Sequence, residues 1–234
     1  MIKVISFKIC PFVQRVTALL EAKQVPYEVE FVDLSNLPQS FLELSPNAQV
    51  PVLVTEAGEA LFESDAIVEY LDEVTAPIEA GVTPAQRAND RAWSYQASKH
   101  YLVQCGAMTS ADEATLTERS QNLGKAFAKA EKQLDDGPYF KGDKLSNVDI
   151  AWLPLLHRAS IIERRTGYDF LANYPKVKSW QASVMSTGLA EKSVPADFEN
   201  AFAGFYLSDK TFLGGGTECA SSGGCCGIGD SCCG

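Results

Sequence analysis

The chain has 234 residues, 46% of them apolar, and a formal net charge of −10. That length suits one large domain or two small ones with a real core, and the composition is that of an ordinary globular protein. A chain this acidic is a poor partner for nucleic acid or an anionic membrane surface, both of which need clustered Lys and Arg, although a local positive pocket for a small anion stays open. The opening MIKVISFK has no basic segment leading into a long apolar run, and no stretch nears the ~18 apolar residues of a membrane helix. A reducing, cytoplasmic setting is therefore expected, with Cys10 and Cys105 as thiols. Five of the seven cysteines follow residue 218, so the body holds no disulfide framework.

Residues 2–7 (IKVISF) are β-branched and nearly alternating, which predicts a strand. From Pro11 the pattern changes to helical. Proline suits a first helical turn because its missing N–H would be unpaired there anyway. Val13, Val16, Leu19 and Leu20 recur at helical spacing while Gln14, Arg15, Glu21 and Lys23 fall mostly elsewhere, so 11–24 read as an amphipathic helix. Residues 26–34 alternate Tyr27, Val29 and Phe31 against Glu28 and Glu30, a second strand. Strand, helix and strand with short joins predict a parallel β-α-β unit. A weak helical turn is expected at 39–44. Residues 49–55 and 59–63 are strands around the hairpin signal Glu56-Ala57-Gly58. The helix of 64–74 has Ser64 as its expected cap, with Ala66, Ile67, Tyr70 and Leu71 on its apolar face.

After a linker (TAPIEAGVT, 75–83) only helices are predicted: 84–105, 111–135, 146–165, 175–186 and a short one near 195–206. The fold class expected is thus an α/β domain of order βαβ-ββα (1–75), a linker (76–83) and an all-helical domain (84–207). KLSNVDIAW (144–152) is a complete helix start. Ser146 and Asp149 can exchange bonds as a capping box, with Leu145 and Ile150 placed as a hydrophobic staple, so Asp149 is read as fold-building. Pro154 predicts a kink, and Trp152 and Trp180 are expected in the core. From residue 208 the chain reads as a flexible tail. Eight of the last 21 residues are Gly and five are Cys, a composition that cannot build a core.

Three features could carry chemistry. Cys10 stands at a strand-to-helix transition, where free backbone N–H groups and the helix dipole favour thiolate. The same placement equally suits a small buried residue at a strand end. Position 13 is Val, so no C-x-x-C partner exists, and neither His100 nor His157 is near enough in sequence to suggest a metal site. Val50-Pro51 heads a strand and is a candidate cis bond, in which Val50 could offer its N–H and C=O to an extended peptide; the plain alternative is an edge-strand proline. Glu63-Ser64 opens a helix, and a helix start with an acidic neighbour can hold an amino-acid end, though simple capping also explains it.

These residues together resemble the cytosolic glutathione transferases. CPFVQRV resembles the C-P-F-x-x-R signature of the cysteine-bearing group, the omega, lambda and dehydroascorbate reductase types and their bacterial relatives. VPVL (50–53) resembles that group's cis-proline strand, LFESDAIVEYLDE (61–73) its L-x-E-S-x-x-I-x-x-Y-L segment, and FKGDKLSNVDIAW (140–152) the family's helical domain with its capping box. The resemblance covers about residues 1–207. It implies a thioredoxin-like first domain, a homodimer, and glutathione as co-substrate. Cys10 would form the mixed disulfide with glutathione. Phe12 would line the cysteinyl side through its backbone, Val50 before Pro51 would pair with the cysteinyl backbone, and Glu63 and Ser64 would bind the γ-glutamyl amino and carboxylate groups. The implied activity is glutathione-dependent thiol transfer or reduction, either deglutathionylation or reduction of a small oxidised substrate, with free glutathione resolving the intermediate.

Two departures stand out. Relatives often carry Lys where this chain has Leu37, and a basic or Gly-containing turn at Asn47-Ala48-Gln49. Losing one charge-assisted bond to the glycyl carboxylate would cost roughly 1.5–3 kcal/mol. The second-substrate pocket is expected between the domains, with Tyr95, Lys99, His100 and Tyr101 as candidates on its helical wall, against the plainer reading of core or solvent positions. A non-catalytic binding module of the same fold is the alternative, its tail (CCGIGDSCC) a soft-metal or partner element. A tail thiol could also resolve Cys10.

Overall fold

The computed structural model describes residues 1–33 and 35–215. Four strands, β1 (Ile2–Ser6), β2 (Tyr27–Phe31), β3 (Val52–Val54) and β4 (Ala60–Phe62), form one sheet in the order β2-β1-β3-β4. β1 and β2 are parallel, joined through α1 (Pro11–Ala22), while β3 runs antiparallel to both β1 and β4. α2 (Gln39–Leu44) and α3 (Ser64–Val74) complete the βαβ-ββα unit.

Both faces of the central strands are buried, and their period of two divides the core. Val4 and its register partner Leu53 face a large apolar cluster, while Ile5 and its partner Val52 face a smaller one with Val32 and Phe41. β2 is an edge strand, and despite its alternation Val29 is 39% and Phe31 43% exposed.

The rest is helical: α4 (Pro84–Met108), α5 (Glu113–Gln133), α6 (Asn147–Thr166), α7 (Pro175–Ser186), the short α8 (Leu189–Lys192) and α9 (Phe198–Tyr206). α8 is an element the sequence pattern did not show, at four residues too short for periodicity. α6 is buried along most of its length, runs through Pro154 and ends at Gly167, whose φ of +75° closes the helix in the left-handed region that glycine enters without strain. Trp152 and Trp180 lie in the core with their rings 5.5 Å apart, as expected. The capping box closes as well. The Asp149 carboxylate accepts from the Ser146 N–H (2.8 Å) and hydroxyl (2.6 Å), and also from the Phe140 N–H (2.8 Å) and Trp180 Nε1 (2.7 Å).

α1 packs on both α3 and α6, so it is the seam between the two halves. This corrects the polar face assigned to it, because Gln14 and Arg15 are buried. Arg15 pairs with Asp65 of α3, which Ser98 of α4 also approaches at 3.4 Å. Thr17 donates to the Ser193 carbonyl at 2.7 Å. A helix wedged between two layers buries nearly its whole circumference, and its polar residues then serve as cross-links.

A second correction concerns the chain end. Residues 208–215, assigned to the tail, are packed: Thr211 and Leu213 are buried, and the Phe212 N–H donates to the Ser110 carbonyl at 2.8 Å. A Cβ on Gly214 would stand 2.0 Å from the Ser208 carbonyl oxygen, so no larger residue fits this close approach. The tail cysteines at 219, 225, 226, 232 and 233 lie outside the described residues.

Candidate functional site

Cys10 occupies the cap position of α1 with extended backbone (φ −72°, ψ 123°), and Pro11 begins the helix. Its N–H is spent on the Phe7 carbonyl at 3.0 Å, and its carbonyl accepts from the Gln14 N–H at 3.1 Å. The backbone N–H groups of Val13 and Phe12 face the sulfur, and the Arg158 guanidinium adds positive charge. All three pull the thiol pKa down. Burial pushes it up and is the larger influence, so the net direction is above the ordinary thiol value. The lowering expected from the helix start is present but outweighed. The Cys105 thiol nearby pushes in the same upward direction.

Cys10 opens onto a cleft of about 520 Å³. One wall comes from the β3 approach and the start of α3. The Val50-Pro51 bond is cis. Val50 lines the cleft, and among the described residues neither its N–H nor its C=O has a hydrogen-bond partner. Ala48 (φ +51°) and Glu63 (φ +66°) flank it in the left-handed region, a cost of order 1–3 kcal/mol each that tends to collect at functional sites. Asn47 Nδ2 ties the two segments by donating to Glu63 Oε1 at 3.0 Å. Ser64 is not the cap expected for α3. Glu63 holds that position, Ser64 is the first helical residue, and the Glu63 side chain does not cap the first N–H groups. The apolar face shifts accordingly: Ile67 and Leu71 are buried but Ala66 is exposed.

The opposite wall comes from α4 and α9, and it corrects the expected set. Tyr95, Lys99 and His100 do not line the cleft. Tyr101 is wholly buried, its hydroxyl donating to the Ala151 carbonyl and its ring edge-on to Phe12 at 5.0 Å. The lining residues are Leu102, Cys105, Gly106 and Thr109 on α4, with Phe205 and Tyr206 on α9. Leu102 is 67% exposed at the rim. Cys105 lies one turn beyond Tyr101 on the same face, so extending the helical spacing was the signal that could have found it. No Lys or Arg lines the cleft among the described residues. Leu37, where relatives often carry Lys, packs on the smaller core cluster instead.

Arg158 is the other residue the sequence did not disclose. It is fully buried on α6 and donates to the Ile9 carbonyl (2.9 Å), the Pro154 carbonyl (3.0 Å) and Gln14 Oε1. Its Nε has no partner among the described residues. Among the described residues no carboxylate pairs with it; burial pushes its pKa below the ordinary value, and Cys105, Tyr206, Cys10 and Tyr101 act against that by favouring the cationic form. Gln14 Nε2 lies 2.8 Å from His157 Nδ1, and burial holds His157 down to about 3, neutral near pH 7. Arg158 therefore brings buried positive charge within reach of the Cys10 sulfur and pins the peptide just before it.

Comparison with known proteins agrees with this architecture. The glutathione S-transferase N-terminal domain model matches residues 9–74, and the glutathione S-transferase C-terminal domain model matches residues 92–187. Glutathione S-transferase omega-1 of Sus scrofa is 30% identical over 79% of this chain and 77% of its own length. Glutathione S-transferase DHAR3, chloroplastic, of Arabidopsis thaliana is 30% identical over 84% of this chain and 72% of its own. The crystal structure of glutathione transferase Omega 3C from Trametes versicolor has a TM-score of 0.71 at 24% identity, covering 82% of this chain and 88% of that one, a likeness of fold. No helix among the described residues is long and apolar enough to cross a membrane. With the N- and C-terminal domain models both matched and omega and DHAR proteins among its relatives, the chain belongs to the glutathione S-transferase family.

Proposed function

We propose that this protein is a glutathione-dependent thiol transferase in which Cys10 is the nucleophile. The observation that carries the reading is the convergence of Cys10, the free Val50 amide and the Glu63–Ser64 helix start on one cleft. A γ-glutamyl-cysteinyl peptide fits these three points. Its α-carboxylate meets the uncapped N–H groups of α3 beside Ser64, its ammonium meets Glu63, and its cysteinyl backbone pairs with Val50 before Pro51. That places its sulfur toward Cys10 and Phe12. A terminal glycyl carboxylate finds no cation among the described residues that line the cleft, so affinity for glutathione is modest.

The chemistry is thiol–disulfide exchange. The Cys10 thiolate attacks the glutathione sulfur of a mixed disulfide, the substrate thiolate leaves and takes a proton, and Cys10 keeps the glutathionyl group. A glutathione thiolate then attacks that glutathionyl sulfur, giving glutathione disulfide and free Cys10. The apolar rim at Leu102, Phe205 and Phe62 favours uncharged, partly apolar partners for the second site. Residues 1–75 bind glutathione in this scheme, 84–207 supply the second wall, and a cytoplasmic homodimer is the expected working form. The test is glutathione-dependent reduction of β-hydroxyethyl disulfide, with size-exclusion chromatography for the dimer. Turnover in the wild type that vanishes in Cys10→Ser supports the reading; no turnover, or turnover unchanged in Cys10→Ser, overturns it.

A further inference from the structure

Val13 removes the usual neighbour that would resolve a Cys10 mixed disulfide, yet the fold brings a second thiol to the same cleft. Cys105 lines it from α4, one turn beyond the Tyr101 ring that packs on Phe12. The Tyr206 hydroxyl donates to Cys105 Sγ at 3.2 Å, which fixes the sulfur at the cleft wall. Both thiols interact electrostatically with the fully buried Arg158, whose Nε has no hydrogen-bond partner and which pairs with no carboxylate among the described residues. A buried cation left without an anion is costly, and a thiolate at either cysteine would answer it.

We propose that Cys105 is a second catalytic thiol that resolves the Cys10–glutathione mixed disulfide by forming a Cys10–Cys105 disulfide. The proposal rests on the Cys10–glutathione reading above. In this step the Cys105 sulfur, as thiolate, attacks Cys10 Sγ. The Cys10–glutathione bond breaks, the new bond joins Cys10 to Cys105, and glutathione leaves as a thiolate that takes the proton Cys105 gave up. Tyr206, bonded to Cys105, is positioned to steady the charge as it moves. Two further glutathione molecules return both cysteines to thiols and leave as glutathione disulfide, so the two electrons balance. Arg158 is the shared positioning residue, because it faces whichever sulfur is charged.

The test exposes the reduced full chain to glutathione disulfide, traps remaining thiols with an alkylating reagent and maps the unreduced peptides by mass spectrometry. The expected wild-type product is a Cys10–Cys105 linked peptide. Cys105→Ser should instead accumulate Cys10–glutathione, about tenfold or more above wild type, since an intramolecular thiol competes at millimolar effective concentration. Equal Cys10–glutathione in both proteins with no linked peptide overturns the proposal and leaves the Cys10 reading intact. A disulfide from Cys10 to a cysteine beyond residue 218 also overturns it. Absence of any glutathione on Cys10 in Cys105→Ser overturns both.

Discussion

Two helix starts in this molecule face opposite problems. At α6, Ser146 and Asp149 satisfy each other, and Asp149 goes on to bind the Phe140 amide and the Trp180 indole, so every strong group there is spent on the fold. At α1, no side chain among the described residues caps the helix, and the N–H groups of Phe12 and Val13 face a sulfur that is partly open to a cleft. The same backbone geometry is closed in one place and held ready in the other. The difference teaches that a helix terminus becomes a site when its partners are withheld, and that the fold must then be stabilised elsewhere.

That contrast can be broken from either side. Cys10→Ser should lower thiol transferase turnover by about a thousandfold or more, the order seen when a nucleophile is removed, with an unchanged urea midpoint. Asp149→Ala should do the reverse. It strands three buried N–H donors and should cost about 3 kcal/mol or more in urea unfolding, while turnover per folded molecule stays near wild type. A crossed result in either pair would dissolve the distinction. Glu63→Gln should sharpen it at α3, raising KM for glutathione about tenfold with little change in kcat, as expected for loss of one charge-assisted bond.

Acid should act on the seam between these regions. His157 is held down to about 3 by burial, against 6.5 in the ordinary state. The unfolded chain therefore binds the extra proton first, and stability should fall as pH drops from 6.5 toward 3. His157→Gln should flatten that slope in pH-dependent urea unfolding. The smallest effect expected is at Arg158. Removing its charge in Arg158→Met should move the alkylation profile of Cys10 to higher pH, and Arg158→Lys should restore part of the shift. An unmoved profile would show that the Phe12 and Val13 amides act alone.

Much of the fold was legible because it rests on local pattern. β1, α1 and the α6 capping box each announce themselves within about ten residues, and the motifs around Cys10, Val50-Pro51 and Glu63 sit at element junctions that turn chemistry marks. Those junction residues do line one cleft. What failed depended on partners distant in sequence. Gln14 and Arg15 look like surface residues until α6 and α3 close over them, and Arg158 looks like a routine helix cation until its full burial against the Ile9 carbonyl is known. Tyr101 and Cys105 differ by one turn, and only the packing of α4 decides which faces core and which faces cleft. Ser64 was misplaced by one position because Glu63 adopts a left-handed φ that sequence does not favour.

The packed residues 208–215 have a practical consequence for anyone cutting this chain. A protein truncated after residue 207, where the composition begins to change, would lose the Phe212–Ser110 bond and the buried Thr211 and Leu213, and with them the brace behind Tyr206, whose carbonyl accepts from the Thr211 hydroxyl at 2.8 Å. Such a truncation would damage the wall of the cleft and could be mistaken for proof that the cysteine-rich end is needed for activity. A cut after Gly215 keeps the brace, and it is the boundary at which the role of the last nineteen residues can be asked cleanly.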